Sequence, residues 1–529
     1  MKYVLRLFPK SIYPAILLWM CLVYSCSQPH NAKTSTGLPI STPEAEGVSS
    51  EGILSFLDAV EKGNNELHSV ILLRHGNVIV EGYWSPYRKD LKHVMFSASK
   101  SFTSIGVGLA IAENKLNLTD KVISFFPNAI PNTLSMYMKD LTVQDLLKMS
   151  TGMNSDPLFE ARGSTDWPLS FFSTSIEKKP GTVFKYNNMA TVMLSAIVQK
   201  ATGEKLLDFL KPRLFDPLDI KNFSWDETPE GYTFGTIGLK IQSDDMAKFG
   251  QMLIQKGQWK GQQIIPQIWV EEATTLQIET YEPDNHLPKE LNDWAQGYGY
   301  QFWRGRNNSY RADGLGGQFI IVLPDYEAVV VLTSAASNTQ EVLDMVWDHL
   351  LPAMHNQPLA QNKEATVELA NRIAYLTTGP FFSTDTVSPI SDSISDKRIE
   401  MAPNEAGILS IKIKFENSDA HIQIERKEGN YKFIAGKDDW KYSQSQLHTL
   451  VDSPRPLDSE NIQVASKYSW TDESTMKLTS RFVEESIRSE SWILRFEEMD
   501  GQIKVFVEII RFVEFTGTTS KMLEGNVVY

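Results

Sequence analysis

Apolar β-type runs stand at both ends of a long helix-patterned stretch, and this order constrains the fold more than any other feature of the chain. Ser69-Val70-Ile71-Leu72-Leu73 and Val78-Ile79-Val80-Glu81-Gly82-Tyr83-Trp84 flank Arg74-His75-Gly76-Asn77, two β-rich runs about a Gly-Asn turn, which is a hairpin signature. A helix is predicted just before them, over Ser50 to Lys62. From Ser97 to about Thr275 the periodicity is helical, with a capped start at Thr142-Val143-Gln144-Asp145-Leu146-Leu147 and breaks at Gly152, Pro180-Gly181 and Pro217. Strand patterns return at Gly297 to Trp303, Gln318 to Leu323 and Ala328 to Leu332, followed by a helix near Glu341 to Leu351. Strands from the two ends must therefore meet across more than two hundred residues, giving an α+β sheet flanked by helices with a large helical insert. Whatever lies at that junction draws on distant segments.

A chain of 529 residues exceeds what one hydrophobic core usually holds, so a second domain is expected. Thr377 to Glu405 is rich in Ser, Thr, Asp and Pro and reads as a linker. Beyond it, Ile411-Lys412-Ile413-Lys414-Phe415, His421-Ile422-Gln423-Ile424-Glu425 and Val505-Phe506-Val507-Glu508-Ile509 alternate with period two. The expected organisation is a first domain over 45–357, a helix and linker over 358–404, and a C-terminal all-β sandwich or barrel over 405–529.

Both cysteines, Cys21 and Cys26, fall in an N-terminal segment that carries Lys2, Arg6 and Lys10 and then an apolar stretch from Tyr13 to Tyr24. Residues 1–26 read as an export signal. Leu22-Val23-Tyr24-Ser25-Cys26 resembles a bacterial lipobox, which implies lipidation of Cys26 and a place in the cell envelope. Residues 27–44 are then expected to be a flexible tether. No disulfide is available to the processed chain. The balance of 65 acidic against 51 basic residues gives a net charge of −14 with no basic stripe. That argues against nucleic acid or an anionic bilayer as a partner. A small-molecule or peptide-like substrate fits better, and membrane contact is expected only through the N-terminal anchor.

Ser97-Ala98-Ser99-Lys100 sets a hydroxyl one helical turn from an amine. Ser-x-x-Lys also occurs at Ser175 with Lys178 and at Ser474 with Lys477, so the pattern alone says little. Ser97 differs because a long apolar run follows it (Phe102, Ile105, Val107, Leu109, Ala110, Ile111), placing it at the N-terminus of a buried helix. There it suits a helix cap or a nucleophile whose proton Lys100 takes once burial lowers the amine's pKa. Lys185-Tyr186-Asn187-Asn188 holds the single Tyr-x-Asn of the chain. A phenol beside a lysine ammonium has its pKa lowered and can relay a proton, and an asparagine amide can orient a substrate carbonyl. A packed loop tyrosine would look the same. Ala312-Asp313-Gly314-Leu315-Gly316-Gly317-Gln318 leads into a predicted strand. Its glycines let backbone N–H groups approach an acyl oxygen, or simply open the strand.

In this order the three elements resemble the serine β-lactamase and penicillin-binding protein superfamily. The closer likeness is to the class C β-lactamase-related branch, with its DD-peptidases, esterases and 6-aminohexanoate-dimer hydrolases. The likeness extends over about residues 45 to 355, with support from Leu141 to Met153, Phe215 to Ile220 and Asp244 to Gly250. The resemblance implies Ser97 as acylated nucleophile, Lys100 as proton acceptor, Tyr186 as general base and acid, and Asn188 as a substrate-orienting amide. It further implies an oxyanion hole from the N–H groups of Ser97 and Leu315, with Gly314 as the alternative donor. Neither cofactor nor metal is implied. The histidines, among them His68, His75, His93, His286 and His349, are scattered without metal-ligand spacing.

One departure matters. Penicillin-recognising members carry Lys or His, then Thr or Ser, then Gly where this chain has Ala312-Asp313-Gly314. The contact to a substrate carboxylate is missing, and Arg311 should point to the other face of the strand from Ala312. The expected activity is therefore hydrolysis of a neutral or cationic ester or amide through an acyl-enzyme on Ser97. A DD-peptidase or β-lactamase, or a catalytically inactive envelope binding protein on the same fold, are the alternatives. Trp167, Trp294 and Trp303 are candidates for cleft walls as well as for the core.

Overall fold

The computed structural model describes residues 37–161, 163–281, 287–378, 388–427, 429–445, 462–485, 487, 489–513 and 517–529. The expected export signal, Cys26 and most of the expected tether lie outside them. Helix α1 (Ser50–Lys62) starts where the Ser49 hydroxyl accepts the Gly52 N–H, and it buries Ile53, Phe56, Leu57 and Val60. The hairpin β1 (Glu66–Arg74) and β2 (Asn77–Tyr83) follows, then β3 (His93–Val94) and α2 (Ser99–Ala112). The insert holds α3 (Val143–Leu147), α4 (Leu158–Ala161), α5 (Trp167–Ser173), α6 (Asn188–Thr202), α7 (Leu206–Leu210), α8 (Ser243–Ile254) and α9 (Gln267–Thr274). It also holds β4 (Ser224–Trp225), β5 (Leu239–Ile241), β6 (Gln258–Trp259) and β7 (Gln262–Gln263). The first domain closes with β8 (Trp303–Arg304), β9 (Tyr310–Gly314), β10 (Gln318–Leu323), β11 (Ala328–Ala335), α10 (Thr339–Met345) and α11 (Lys363–Ala374).

The long-range sheet is antiparallel, in the order β2-β1-β11-β10-β9-β8. β1 pairs with β11 in a register that sets Val70 opposite Leu332 and Leu72 opposite Val330. Both faces are buried. Ile71, Leu73, Ile320, Val322, Val329 and Val331 face the core built with α2, α6 and α8. Val70, Leu72, Phe319, Ile321, Val330 and Leu332 face the core built with α1 and α10. Each such side chain contributes about 1.5–3 kcal/mol on burial, so the sheet is held by the meeting of the two chain ends. The insert is less helical than its periodicity predicts, because β3, β5 and β4 form a small sheet of their own. Strands of two or three residues are too short to show alternation.

After α12 (Ile390–Ile394) come β12 (Lys397–Met401), β13 (Ile408–Glu416), β14 (Asp419–Arg426), β15 (Gly429–Lys437) and β16 (Lys441–Ser445). They are followed by β17 (Ile462–Trp470), β18 (Thr475–Arg481), β19 (Ser489–Met499), β20 (Gln502–Val513) and β21 (Gly517–Val528). The sheet order is β15-β14-β13-β12-β21-β20-β19-β18-β17-β16, and β15 also pairs with β17, so the sheet closes into a barrel. Alternate residues such as Ile422, Ile424, Trp492, Leu494, Val505 and Val507 fill its interior. No helix among the described residues is long and apolar enough to cross a membrane.

Two expected boundaries shift. The barrel begins inside the segment read as linker, because β12 pairs with β13 and β21 although Ile399 is the one fully buried residue it supplies. Residues 38–44 lie against the first domain instead of in a tether: Leu38 is buried, Val78 N–H donates to the Pro39 carbonyl (2.8 Å) and Ser41 N–H to that of Val78 (3.0 Å).

The barrel is fastened to the first domain by polar and apolar contacts. Arg481 at the end of β18 makes a two-pronged pair with Glu66 of β1, Nε at 3.0 Å and Nη2 at 2.8 Å. Tyr87, Leu91, Trp440, Ala465 and Val483 form a small apolar cluster across the junction. Beneath it His68 stacks on Tyr87 with centroids 3.6 Å apart, and His68 Nδ1 meets His93 Nε2 at 2.8 Å. Burial holds both imidazoles below the ordinary histidine value. Burial also works to raise the Glu66 carboxyl, but the Arg481 charge and the bonds from His68 and Arg481 outweigh it, so the net shift is downward.

Removing the guanidinium in Arg481→Ala is expected to destabilise the chain by about 3 kcal/mol. This is the low end for a broken buried pair, since a quarter of the Glu66 side chain still meets water. A depressed carboxyl contributes stability above its unfolded pKa of about 4.3 and loses it as pH falls through the folded value. Urea midpoints of the wild type and the variant should therefore converge as pH is lowered below about 4. Parallel midpoints across that range would overturn the assignment.

Candidate active site

Strand β3 ends at Val94, and the chain turns through a short 3₁₀ segment (Phe96–Ala98) straight into α2. Phe96 is left-handed, with φ +45°. That conformation costs a bulky residue about 1–3 kcal/mol and persists only when its surroundings enforce it. The Ser99 hydroxyl donates to the Phe96 carbonyl (2.6 Å) and Met95 N–H to that of Leu239 on β5 (2.9 Å), which pins the turn on both sides. Ser97 is thereby held half-exposed at the head of an otherwise buried helix.

Lys100 is 2 % exposed, and its Nζ has three oxygen neighbours: Ser97 Oγ at 2.9 Å, Asn188 Oδ1 at 2.8 Å and the Thr236 carbonyl at 3.0 Å. A neutral amine has two N–H groups and one lone pair. When the amine is protonated it donates to all three oxygens; when it is neutral, the Asn188 and Thr236 oxygens can take its two N–H groups and leave the lone pair for the Ser97 hydroxyl. The Asn188 amide cannot be turned round, because its Nδ2 donates to Asp156 Oδ2 (2.8 Å), which only accepts. Asp156 also accepts the N–H groups of Asn188 (2.8 Å) and Met189 (3.2 Å), a carboxylate on the N-terminus of α6. Burial lowers the Lys100 pKa to about 7, against the upward pull of Asp156 and Asp313.

Tyr186 completes the cluster: its phenol is hydrogen-bonded to Ser97, and its ring lies 5.0 Å from Lys100 Nζ and stacks on Trp303, 5.9 Å away. The expectation that a neighbouring lysine lowers the phenol's pKa is reversed. Burial raises it, the bond to Ser97 offsets only part of that, and Asp313 and Asp156 push it further up. Of the two, it is Lys100 whose pKa burial brings close to neutrality. Of the three tryptophans proposed for the cleft, Trp303 touches the site; Trp167 packs on Phe234 and Trp294 lies over Arg311.

Gly314 at the end of β9 abuts the turn that carries Ser97. A Cβ there would lie 2.2 Å from the Met95 carbonyl oxygen and 3.3 Å from the Ala98 nitrogen, which glycine alone avoids. Its carbonyl accepts the Gly317 N–H (3.1 Å), and in a trans peptide the Leu315 N–H must point the opposite way. Buried Gln318 fixes the next peptide, with Nε2 donating to the Leu315 (2.9 Å) and Ser334 (2.7 Å) carbonyls. Arg311 and Asp313 are two apart on the strand, share a face, and pair at 2.8 Å. Arg311 is wholly buried and so spent on Asp313. Among the described residues, no group of three or more His, Cys, Asp or Glu is gathered as for a metal ion.

The sequence pattern of the Beta-lactamase family matches residues 59–352, more than half of the chain and the whole of this site. The chain belongs to the β-lactamase family. Similar proteins include the 6-aminohexanoate-dimer hydrolase of Paenarthrobacter ureafaciens, 25 % identical over 50 % of this chain and 71 % of that one. Protein flp of Staphylococcus aureus is 24 % identical over 35 % of this chain and 39 % of its own length. Among solved structures, a putative 6-aminohexanoate-dimer hydrolase from Bacillus anthracis superposes with a TM-score of 0.48 at 21 % identity, over 61 % of this chain and 88 % of that one. By the family match, residues 59–352 have the β-lactamase fold of a serine hydrolase family, and the barrel lies beyond the matched residues. In this domain sequence reasoning missed Asp156, Thr236 and Gln318. Thr236 offers Lys100 a backbone carbonyl, which no side-chain pattern reveals, and Asp156 and Gln318 act through contacts distant in sequence.

Proposed function

We propose that the chain hydrolyses an ester or amide bond in a neutral or cationic small-molecule or peptide-like substrate, through an acyl-enzyme on Ser97. The observation that carries this reading is the buried Lys100 amine, whose Nζ lies 2.9 Å from the Ser97 hydroxyl, 2.8 Å from Asn188 Oδ1 and 3.0 Å from the Thr236 carbonyl. In the acylation step Ser97 Oγ attacks the carbonyl carbon while its proton passes to Lys100 Nζ. The oxyanion is received by the N–H groups of Ser97 and Leu315. Collapse breaks the bond to the leaving group, which takes a proton through the Tyr186 phenol. Water then attacks the acyl-enzyme, releases the acid and returns the proton to Ser97. On this reading Asn188 orients the lysine first, since one Nδ2 hydrogen is committed to Asp156.

Charge supports the choice of substrate. Asp156 and Asp313 both act electrostatically on Lys100 and Tyr186, and the nearby Arg311 is buried against Asp313. An anionic substrate group would find no free guanidinium from Arg311 to bind it. Purified protein is expected to turn over uncharged nitrophenyl esters and short amino-terminal amides at least tenfold faster, by kcat/KM, than a chromogenic cephalosporin, about 1.4 kcal/mol of discrimination. A faster cephalosporin would favour the β-lactamase or DD-peptidase reading.

A further inference from the structure

The loop joining β18 to β19 reaches from the barrel to the two backbone turns that frame Ser97. Three of its residues are anchored within four positions. Glu484 Oε1 accepts the Lys92 N–H (3.1 Å), just before β3. Glu485 pairs with Lys240 of β5, the residue opposite Val94 in the small sheet. Ile487, 2 % exposed, forms a small apolar cluster with Val94 and Phe96, and Leu315, Ala335 and Phe512 pack against that cluster. A Cβ built on Gly316 would fall 2.4 Å from Ile487 Cδ1, so the isoleucine occupies the space over the β9–β10 turn that any side chain at Gly316 would need.

Two members of this cluster bear on reactivity. Phe96 is the left-handed residue immediately before Ser97, and Leu315 carries the second candidate oxyanion donor. One apolar side chain from the barrel therefore joins the cluster that takes in both arms of the site, and sits directly over Gly316. Left-handed Phe96 and the glycine-rich turn are backbone that needs external support, as strained conformations persist only where packing over-determines them. We infer that Ile487 is a positioning residue: the barrel, through this side chain, sets the spacing between the Ser97 and Leu315 N–H groups. Its catalytic consequence rests on the function proposed above, while its geometric content does not.

The test uses the full chain with Ile487→Gly, Ile487→Ala and Ile487→Val, read by steady-state kinetics on an ester that the wild type cleaves and by amide hydrogen exchange. Displacing an oxyanion donor weakens the transition state and not ground-state binding, so kcat should fall about 10- to 100-fold in Ile487→Gly with KM within about threefold. Ile487→Ala should fall between Ile487→Gly and the wild type, and Ile487→Val, which loses only the Cδ1 that lies over Gly316, should fall between Ile487→Ala and the wild type. Exchange should quicken by about tenfold or more at residues 94–98 and 314–317 while the far end of the barrel is unchanged. Wild-type kcat in Ile487→Gly, or exchange that stays constant or quickens evenly over the chain, overturns the inference. Should Ile487→Gly fail to fold, the graded Ala and Val variants decide by the same readouts. A wild type that cleaves no ester or amide and takes no fluorophosphonate label would count against the proposed function alone, and the exchange data would still decide whether Ile487 holds the two turns.

Discussion

Ser97→Ala is expected to lower kcat for any hydrolysed ester or amide by about 10⁴-fold or more, since removing the nucleophile of a hydrolase that works through an acyl-enzyme leaves only binding and the oxyanion donors. Little else should change. Ser97 is half-exposed, and the polar partners of its hydroxyl are the Lys100 amine and the Tyr186 phenol, both also held by other contacts. The thermal midpoint should therefore remain near that of the wild type. The decisive measurement is intact mass after incubation with a fluorophosphonate. The wild type should gain one adduct and Ser97→Ala none. A wild type without an adduct, combined with ligand affinity that survives Ser97→Ala, would point to a binding protein built on this fold. An adduct on the variant as well would mean that another residue is the nucleophile.

Lys100→Ala should be almost as damaging, with a loss of about 10³-fold in kcat/KM, within the range for removing a positioned general base. The lysine also predicts a pH profile. Burial lowers its pKa to about 7, and Asp156 and Asp313 keep it from falling further. The neutral amine is the form that accepts the Ser97 proton, and its fraction grows as pH rises. Thus kcat/KM should climb tenfold per pH unit well below 7, bend near 7 and level off above it. Tyr186 should add no acidic limb, because burial first, and then Asp313 and Asp156, hold its phenol above the ordinary value despite the Ser97 hydrogen bond. In Lys100→Ala the residual rate should lose the bend near 7. A profile that instead falls through pH 7 as pH rises would require a protonated Lys100, and the assignment of the base would fail.

The three elements that frame the site were legible as residue patterns. Ser97 and Lys100 share a helix face by spacing, and Tyr186 and Asn188 flank the start of an apolar helix. Gly314 to Gly317 stand before a central strand. The tight turn of β1 and β2 and the capping box of Thr142 and Asp145 were equally local and therefore readable. The barrel alternation was clear wherever a strand ran for seven or more residues, as in β14, and faint in β12, where Ile399 is the one fully buried residue.

What the sequence determined by itself was the set of chemical groups, their order, and the two periodicities that divide the chain into a mixed domain and a β domain, because side-chain spacing along one helix or strand is dictated by local geometry. Tertiary structure alone decided the rest. Lys100 Nζ is held against Ser97 Oγ because Asn188 and Thr236, both far away along the chain, accept from it on its other sides, and Asn188 faces the right way because Asp156 holds its other end. Arg311 is spent on Asp313 because strand pleating puts them on one buried face. Burial, which reverses the expected shift at Tyr186 and brings Lys100 near neutrality, depends on all the neighbours at once, and no spacing of residues in one segment encodes it.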